Sequence, residues 1–225
     1  MSSRLLPATA AALLLLTPLC SGCTSDAGPT DPDGGTATVS AGTASEPATP
    51  ASAAELESLL VRDVPSGLPL VADDELDPPA GEKTIDDVAG YGDDAQRQRR
   101  VLEDYGYQRG WERFWRSGDA LTSVFLDQFE GAEGAASYAG DLARNDADYY
   151  GGVLDSSPDD LPAGCVLMVR NDLEPRHGLA GPAAFGWCAA GVFTVAVAAV
   201  AGSTADARAE LAAVTAAQLD RLPVG

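Results

Sequence analysis

Hydrophobic and polar residues from Ala53 onward alternate between helical and strand periods. Leu56, Leu59 and Leu60, spaced among acids, predict a helix over Ala53–Val61 that stops before Pro65. Leu68–Val71 then reads as a short strand after the Pro65-Ser66-Gly67 turn, and acidic, proline-containing Asp73–Glu82 as loop. Thr84 caps a short helix over Ile85–Ala89, and Asp93 or Asp94 caps a second that runs to about Asp104 and ends at Gly106. Tyr107–Arg116 and Leu121–Phe129 are aromatic-rich β-type runs joined by Ser117-Gly118-Asp119, which predicts a hairpin. Ala132, Ala135, Ala136, Ala139, Leu142 and Ala143 form one stripe of a helix over Ala132–Arg144. After a loop containing Tyr149, Tyr150, Pro158 and Pro162, Cys165–Arg170 is a strand. Phe185–Ala189 and Val192–Val200 are a second hairpin turned at Ala190-Gly191, and Thr204–Leu222 is a closing helix.

This order predicts an α+β domain: an antiparallel sheet of about five strands, with helices packed on one face. Leu179–Ala205 carries no charge and is long enough to cross a bilayer. Pro182, the glycines at 181, 186, 191 and 202, and the alternation of Phe193, Val195 and Val197 with smaller residues favour a strand buried on both faces.

The first 53 residues follow other rules. Met1–Cys23 has one basic residue (Arg4), an apolar run of h-region length (Ala8–Leu16) and Leu19-Cys20-Ser21-Gly22-Cys23 as a processing site. The expectation is a lipoprotein signal peptide over 1–22, with the Cys23 thiol taking a diacylglycerol group and membrane contact running through that lipid. Residues 24–53 hold Val39 as their only large aliphatic, too little apolar surface to offset ordering entropy, and read as a disordered tether from the lipidated Cys23. A single domain over 54–225 follows. The predicted location is the extracytoplasmic face of the cell membrane.

Composition narrows the chemistry. The full chain has 14 Lys+Arg against 34 Asp+Glu, a formal charge of −20, and Lys83 is its only lysine. Such a surface repels nucleic acid, and no basic stripe is present. With Cys20 leaving in the signal and Cys23 lipidated, Cys165 and Cys188 remain; in an exported protein they pair most economically, the alternative being two buried thiols. Two cysteines and one histidine without a CxxC make no metal ligand set, and no cofactor motif is present. His177 lies in a turn-like Glu174-Pro175-Arg176-His177-Gly178 stretch, and no G-x-S-x-G exists, so no catalytic residue is assigned.

One strand stands out. Tyr107, Arg109, Trp111, Arg113 and Trp115 alternate onto one face, and Gln108, Gly110, Glu112, Phe114 and Arg116 onto the other. Interleaved arginine and aromatic side chains can stack planar or anionic groups or receive a peptide, which makes Arg109, Trp111, Arg113 and Trp115 a candidate ligand or partner face. The competing reading is a helix-covered face whose arginines pair with acids.

Tyr107-Gln108-Arg109-Gly110 leading into Trp111 and Trp115, then Val124–Phe129, Ala132–Tyr138 and Trp187-Cys188 before Val192–Val200, resembles the exported lipoproteins of high-GC actinobacteria. In style it is similar to the sensor-like extracellular domains of mycobacterial transmembrane kinases. Those domains usually carry two disulfides, whereas this chain can form one internally. The resemblance implies a module that binds an unknown small ligand or envelope protein, with no catalytic residue carried over. An envelope hydrolase and a purely structural or assembly lipoprotein are the alternatives.

Overall fold

The computed structural model describes residues 49–172, Leu179 and residues 181–223. Cys23, the signal segment, most of the tether and His177 lie outside the described residues.

Among the described residues, seven antiparallel strands make one sheet in the order β1-β2-β3-β7-β6-β5-β4. They are β1 Gly81–Lys83, β2 Tyr107–Ser117, β3 Ala120–Phe129, β4 Leu154–Asp155, β5 Cys165–Arg170, β6 Ala183–Ala190 and β7 Phe193–Val200. The helices are α1 Ala53–Ser58, α2 Ile85–Ala89, α3 Ala95–Tyr105, α4 Ala132–Tyr150 and α5 Thr204–Leu219. Both predicted hairpins form, their tips carried by Gly118 (φ 59°) and Gly191 (φ 56°) in the left-handed region. They join through β3 and β7, whose register runs from Leu121 opposite Val200 to Gln128 opposite Phe193.

The sheet has seven strands where five were expected. The two extra strands, β1 and β4, are three and two residues long, too short for alternation to show, and they lie in stretches whose acids and prolines read as loop. The predicted strand at Leu68–Val71 reduces to a bridge between Leu70 and Trp115.

Helices pack on both faces, not one. Val195 and Val197 join a core with Leu56, Leu60, Leu211 and Val214 of the α1 and α5 side, whereas Ala196 and Val200 join one with Ala143 and Met168 under α4. Successive strand residues point to opposite faces, so both faces of β7 are apolar and both must be covered. The uncharged run from Leu179 to Ala205 is therefore largely the β6–β7 hairpin at the sheet centre. Among the described residues no helix is long and apolar enough to cross a membrane.

Helix α4 extends past Arg144 to Tyr150. Asn145, Asp146 and Asp148 break the alanine stripe in sequence, but Ala143, Ala147 and Tyr150 continue one face at helical spacing and pack on the sheet. Caps agree with expectation: Thr84 and Asp87 make a reciprocal capping box for α2, and the Asp94 side chain accepts from Arg97 N at α3.

On the opposite face a buried amide ties the chain ends of the domain together. Gln218 of α5 accepts from Val61 N (3.0 Å) and donates to Leu59 O (3.1 Å), while Arg221 donates to Leu59 O and Ser58 O. Cys165 and Cys188 stand directly opposite each other on β5 and β6 and form a disulfide, with Cα atoms 4.2 Å apart.

Candidate functional site

Between the sheet, α4 and the end of α2 lies a cavity of about 450 Å³, within the range that encloses small-molecule ligands. Its floor comes from alternate residues of β2 and β3: Glu112 and Phe114, then Leu121, Ser123, Phe125 and Asp127. Phe185 and Trp187 of β6 continue it, and Tyr138, Leu142, Asp146 and Tyr150 of α4 form the roof. Tyr91, half-exposed, stands at the margin. Aromatic rings define the walls: Phe114 meets Phe125 edge-on at 5.5 Å, Tyr150 stacks on Phe185 at 4.8 Å, and Phe185 lies parallel to Trp187 at 6.1 Å.

Three carboxylates interrupt this apolar surface, and each is held differently. Glu112 is 5% exposed and paired with Lys83, itself 4% exposed, at 3.3 Å; it also accepts from the Tyr91 hydroxyl at 2.7 Å. Burial pushes its pKa up, opposed by the Tyr91 hydrogen bond and the Lys83 charge. The one lysine of the chain is thus spent inside, on Glu112 and on the Pro79 carbonyl.

Among the described residues Asp127 has no cationic partner. It is 7% exposed, and the Tyr107 hydroxyl lies 3.2 Å from its Oδ1 and 3.3 Å from the Lys83 carbonyl oxygen. A hydroxyl has one hydrogen for these two acceptors. When Asp127 is protonated it can donate to Tyr107, which then donates to Lys83, and every contact is satisfied. Burial pushes the Asp127 pKa up to about 7, moderated by the Tyr107 hydrogen bond and reinforced by the Glu112 charge. Asp146 accepts from Trp187 Nε1 at 3.1 Å, and burial raises its pKa to about 6. Burial, followed by the charges of Asp127, Asp146 and Glu112, holds the Tyr138 hydroxyl well above the usual phenol range.

Two backbone features make room for this arrangement. Gly110 faces Asp127 across the β2–β3 ladder, and a Cβ there would fall 2.3 Å from Asp127 Oδ1 and 2.5 Å from the Tyr107 hydroxyl. A register shift between Tyr107 and Arg109 then moves Tyr107 off the face its sequence parity assigns and onto that of Gly110 and Glu112. Strict alternation had grouped Tyr107 with Trp111; the bulge is the physical reason it is not there.

Arg109, Trp111, Arg113 and Trp115 do share a face, as alternation expects, and it is the one carrying α1. Arg113 donates to Val61 O (2.9 Å) and Glu57 Oε1 (3.0 Å); Trp115 is 1% exposed and its Nε1 donates to Arg62 O (3.3 Å). Trp111 packs against the same core, and among the described residues Arg109 Nε is buried without a hydrogen-bond partner. The cavity residues Glu112, Asp127 and Asp146 were not singled out from sequence. The visible sign was Asp127, a lone acid inside the otherwise apolar or neutral run Val124–Phe129. Among the described residues no group of three or more His, Cys, Asp or Glu side chains is gathered to hold a metal ion.

No protein-family model matches the chain, and no curated protein matches it. Among solved structures, the extracellular domain of PknH from Mycobacterium tuberculosis shows a weak structural resemblance: TM-score 0.46 and 12% identity, over 77% of this chain and 99% of that one.

Proposed function

We propose that this chain is a lipid-anchored binding module of the extracytoplasmic envelope, with the cavity under α4 as its receptor site. The observation that carries this reading is the cavity itself: aromatic walls, about 450 Å³ of space and a few convergent carboxylates with raised pKa values. The location rests on the Met1–Cys23 pattern and on the Cys165–Cys188 disulfide, a bond that persists in oxidising compartments. The face bearing Arg109 and Trp111 is proposed to contact an envelope partner, its other members Arg113 and Trp115 being committed to the α1 segment.

Two experiments test this. Labelling with an alkyne fatty acid is expected to tag the native chain and not Cys23→Ala. Ser123→Trp fills the cavity from its floor and is expected to abolish ligand-induced changes in Trp187 fluorescence while the fold persists. Unchanged ligand response in the filled variant would remove the cavity from the reading. The second reading, hydrolysis of envelope material with Asp127 as general acid, is favoured by its raised pKa; turnover lost in Asp127→Asn would establish it.

A further inference from the structure

We infer that the cavity takes a neutral hydroxylated aromatic, a phenol, whose O–H replaces that of Tyr91 on Glu112. This rests on the binding-module reading and adds the ligand's class. The way the acids are paired carries it. Among the described residues, each of the three carboxylates lining the cavity is hydrogen-bonded to the O–H or N–H of an aromatic side chain. Glu112 pairs with Tyr91 at 2.7 Å, Asp127 with Tyr107 at 3.2 Å and Asp146 with Trp187 at 3.1 Å. Tyr107 and Trp187 are 6% and 2% exposed and fixed in the core. Tyr91 is 50% exposed and stands in the short connection between α2 and α3. Of the three donors it is the one that can leave its carboxylate without opening the core.

Glu112 is a prepared acceptor. Lys83 Nζ holds its Oε2 at 3.3 Å and is itself bound to the Pro79 carbonyl, while Tyr91 occupies Oε1. A ligand cation at Oε1 would meet the Lys83 ammonium, and a ligand carboxylate would set acceptor against acceptor. A neutral hydroxyl does neither, and it restores the hydrogen bond that Tyr91 gives up. The aromatic body follows from the walls. Glu112 stands opposite Phe125 on the β2–β3 ladder, and Phe125 meets Phe114 edge-on at 5.5 Å. Phe185 and Trp187 continue the floor as parallel rings. A flat ring packs well against edges and faces of this kind.

Tyr91 is therefore an internal stand-in for the ligand: an aromatic ring at the margin of the space with its hydroxyl on the acceptor. Burial, followed by the Glu112 hydrogen bond, holds that hydroxyl above the usual phenol range, so it remains a donor at neutral pH. Ligand entry exchanges one O–H for another at Glu112, with the Tyr91 ring turned to solvent. Because the exchange keeps the number of hydrogen bonds to Glu112, the native chain gains little from the ligand's hydroxyl. Removing the Tyr91 hydroxyl uncovers the preference.

The test is titration of the full chain and of Tyr91→Phe with 2-naphthol and with 2-methoxynaphthalene, which keeps the rings and lacks the donor. The Trp187 indole N–H and the Tyr91 ring are followed by NMR. The ratio of the two affinities, naphthol over ether, is expected to rise about tenfold or more in Tyr91→Phe, because Glu112 has then lost the donor that competes with the ligand. In the native chain, naphthol is expected to move the Tyr91 ring signals toward those of a solvent-exposed tyrosine, and the ether to leave them in place. If Tyr91→Phe does not fold, these ring signals decide alone. A ratio unchanged or lowered in Tyr91→Phe, or Tyr91 signals that respond alike to both probes, would overturn the inference and leave the cavity a binding site. A Trp187 signal unmoved by both probes would overturn both readings.

Discussion

Asn at position 127 should make the protein more stable at neutral pH, although it removes a buried, hydrogen-bonded side chain. The folded-state pKa of Asp127 stands at about 7 against an ordinary value of 3.8, so the native state binds a proton that the unfolded chain releases between those values. Because the native state holds more protons, stability falls as pH rises: the Asp127 contribution is whole below pH 4 and lost progressively up to about pH 7. At about 1.4 kcal/mol per tenfold, that interval corresponds to about 4 kcal/mol of destabilisation once the carboxylate is forced to ionise. Asn carries no charge, and its amide can donate to Tyr107 as the protonated acid does, leaving Tyr107 free to donate to Lys83 O. Urea unfolding of the native chain and Asp127→Asn, followed by tryptophan fluorescence from pH 3.5 to pH 8, should show near-equal stability at pH 3.5. A gap favouring Asn should then open, reaching several kcal/mol at pH 8. Asp146 adds a smaller slope of the same sign to both proteins and cancels in the difference. A difference that stays constant with pH, or an Asn variant less stable at pH 8, would refute the claim that Asp127 is buried without a counter-charge. A binding site that lowers the stability of its own empty fold is a familiar compromise between function and stability.

Three further outcomes are expected. Gly110→Ala drives a methyl group into Asp127 and Tyr107, and should cost about 1–3 kcal/mol in urea unfolding while weakening ligand response at Trp187. Gln218→Leu strands the buried Val61 N–H, and a loss of about 1–3 kcal/mol is expected, with hydrogen exchange accelerated first at Val61. Replacing Cys165 and Cys188 together with Ala opens a loop of 23-residue separation, worth about 3 kcal/mol in the chain-entropy model, and should lower the melting temperature by about 10 °C.

The elements whose information is local could be read from the chain. Both central hairpins, the Thr84 and Asp94 caps and the alternation that groups Arg109 with Trp111 depend on neighbours a few residues away. Three features escaped because their cause is distant. The short strands β1 and β4 exist only because β2 and β5 offer them ladders. Helix α4 continues through Asn145 and Asp146 because the sheet below receives Ala147 and Tyr150. Tyr107 changes face through a bulge that alternation cannot reveal. The cavity combines all of these: its acids come from β2, β3 and α4, so no single stretch of sequence contains a motif. The lone charge of Asp127 in an apolar strand was legible, but what it faces depends on pairing with Gly110.

The two outer strands of the sheet have a consequence for life at high density. A sheet grows by adding a neighbour along a free backbone edge, and the longer and flatter that edge, the more readily two molecules fuse. Here the outer margins are β1, whose Gly81–Lys83 pairs with part of β2, and β4, whose Leu154–Asp155 pairs with part of β5. The long apolar strands β3, β6 and β7, which alone would polymerise readily, are locked in the interior of the ladder. Among the described residues the strands at the margins are the short ones, so copies crowded together would meet only short edge strands there, while the uncharged hairpin stays paired on both sides at the centre of the sheet.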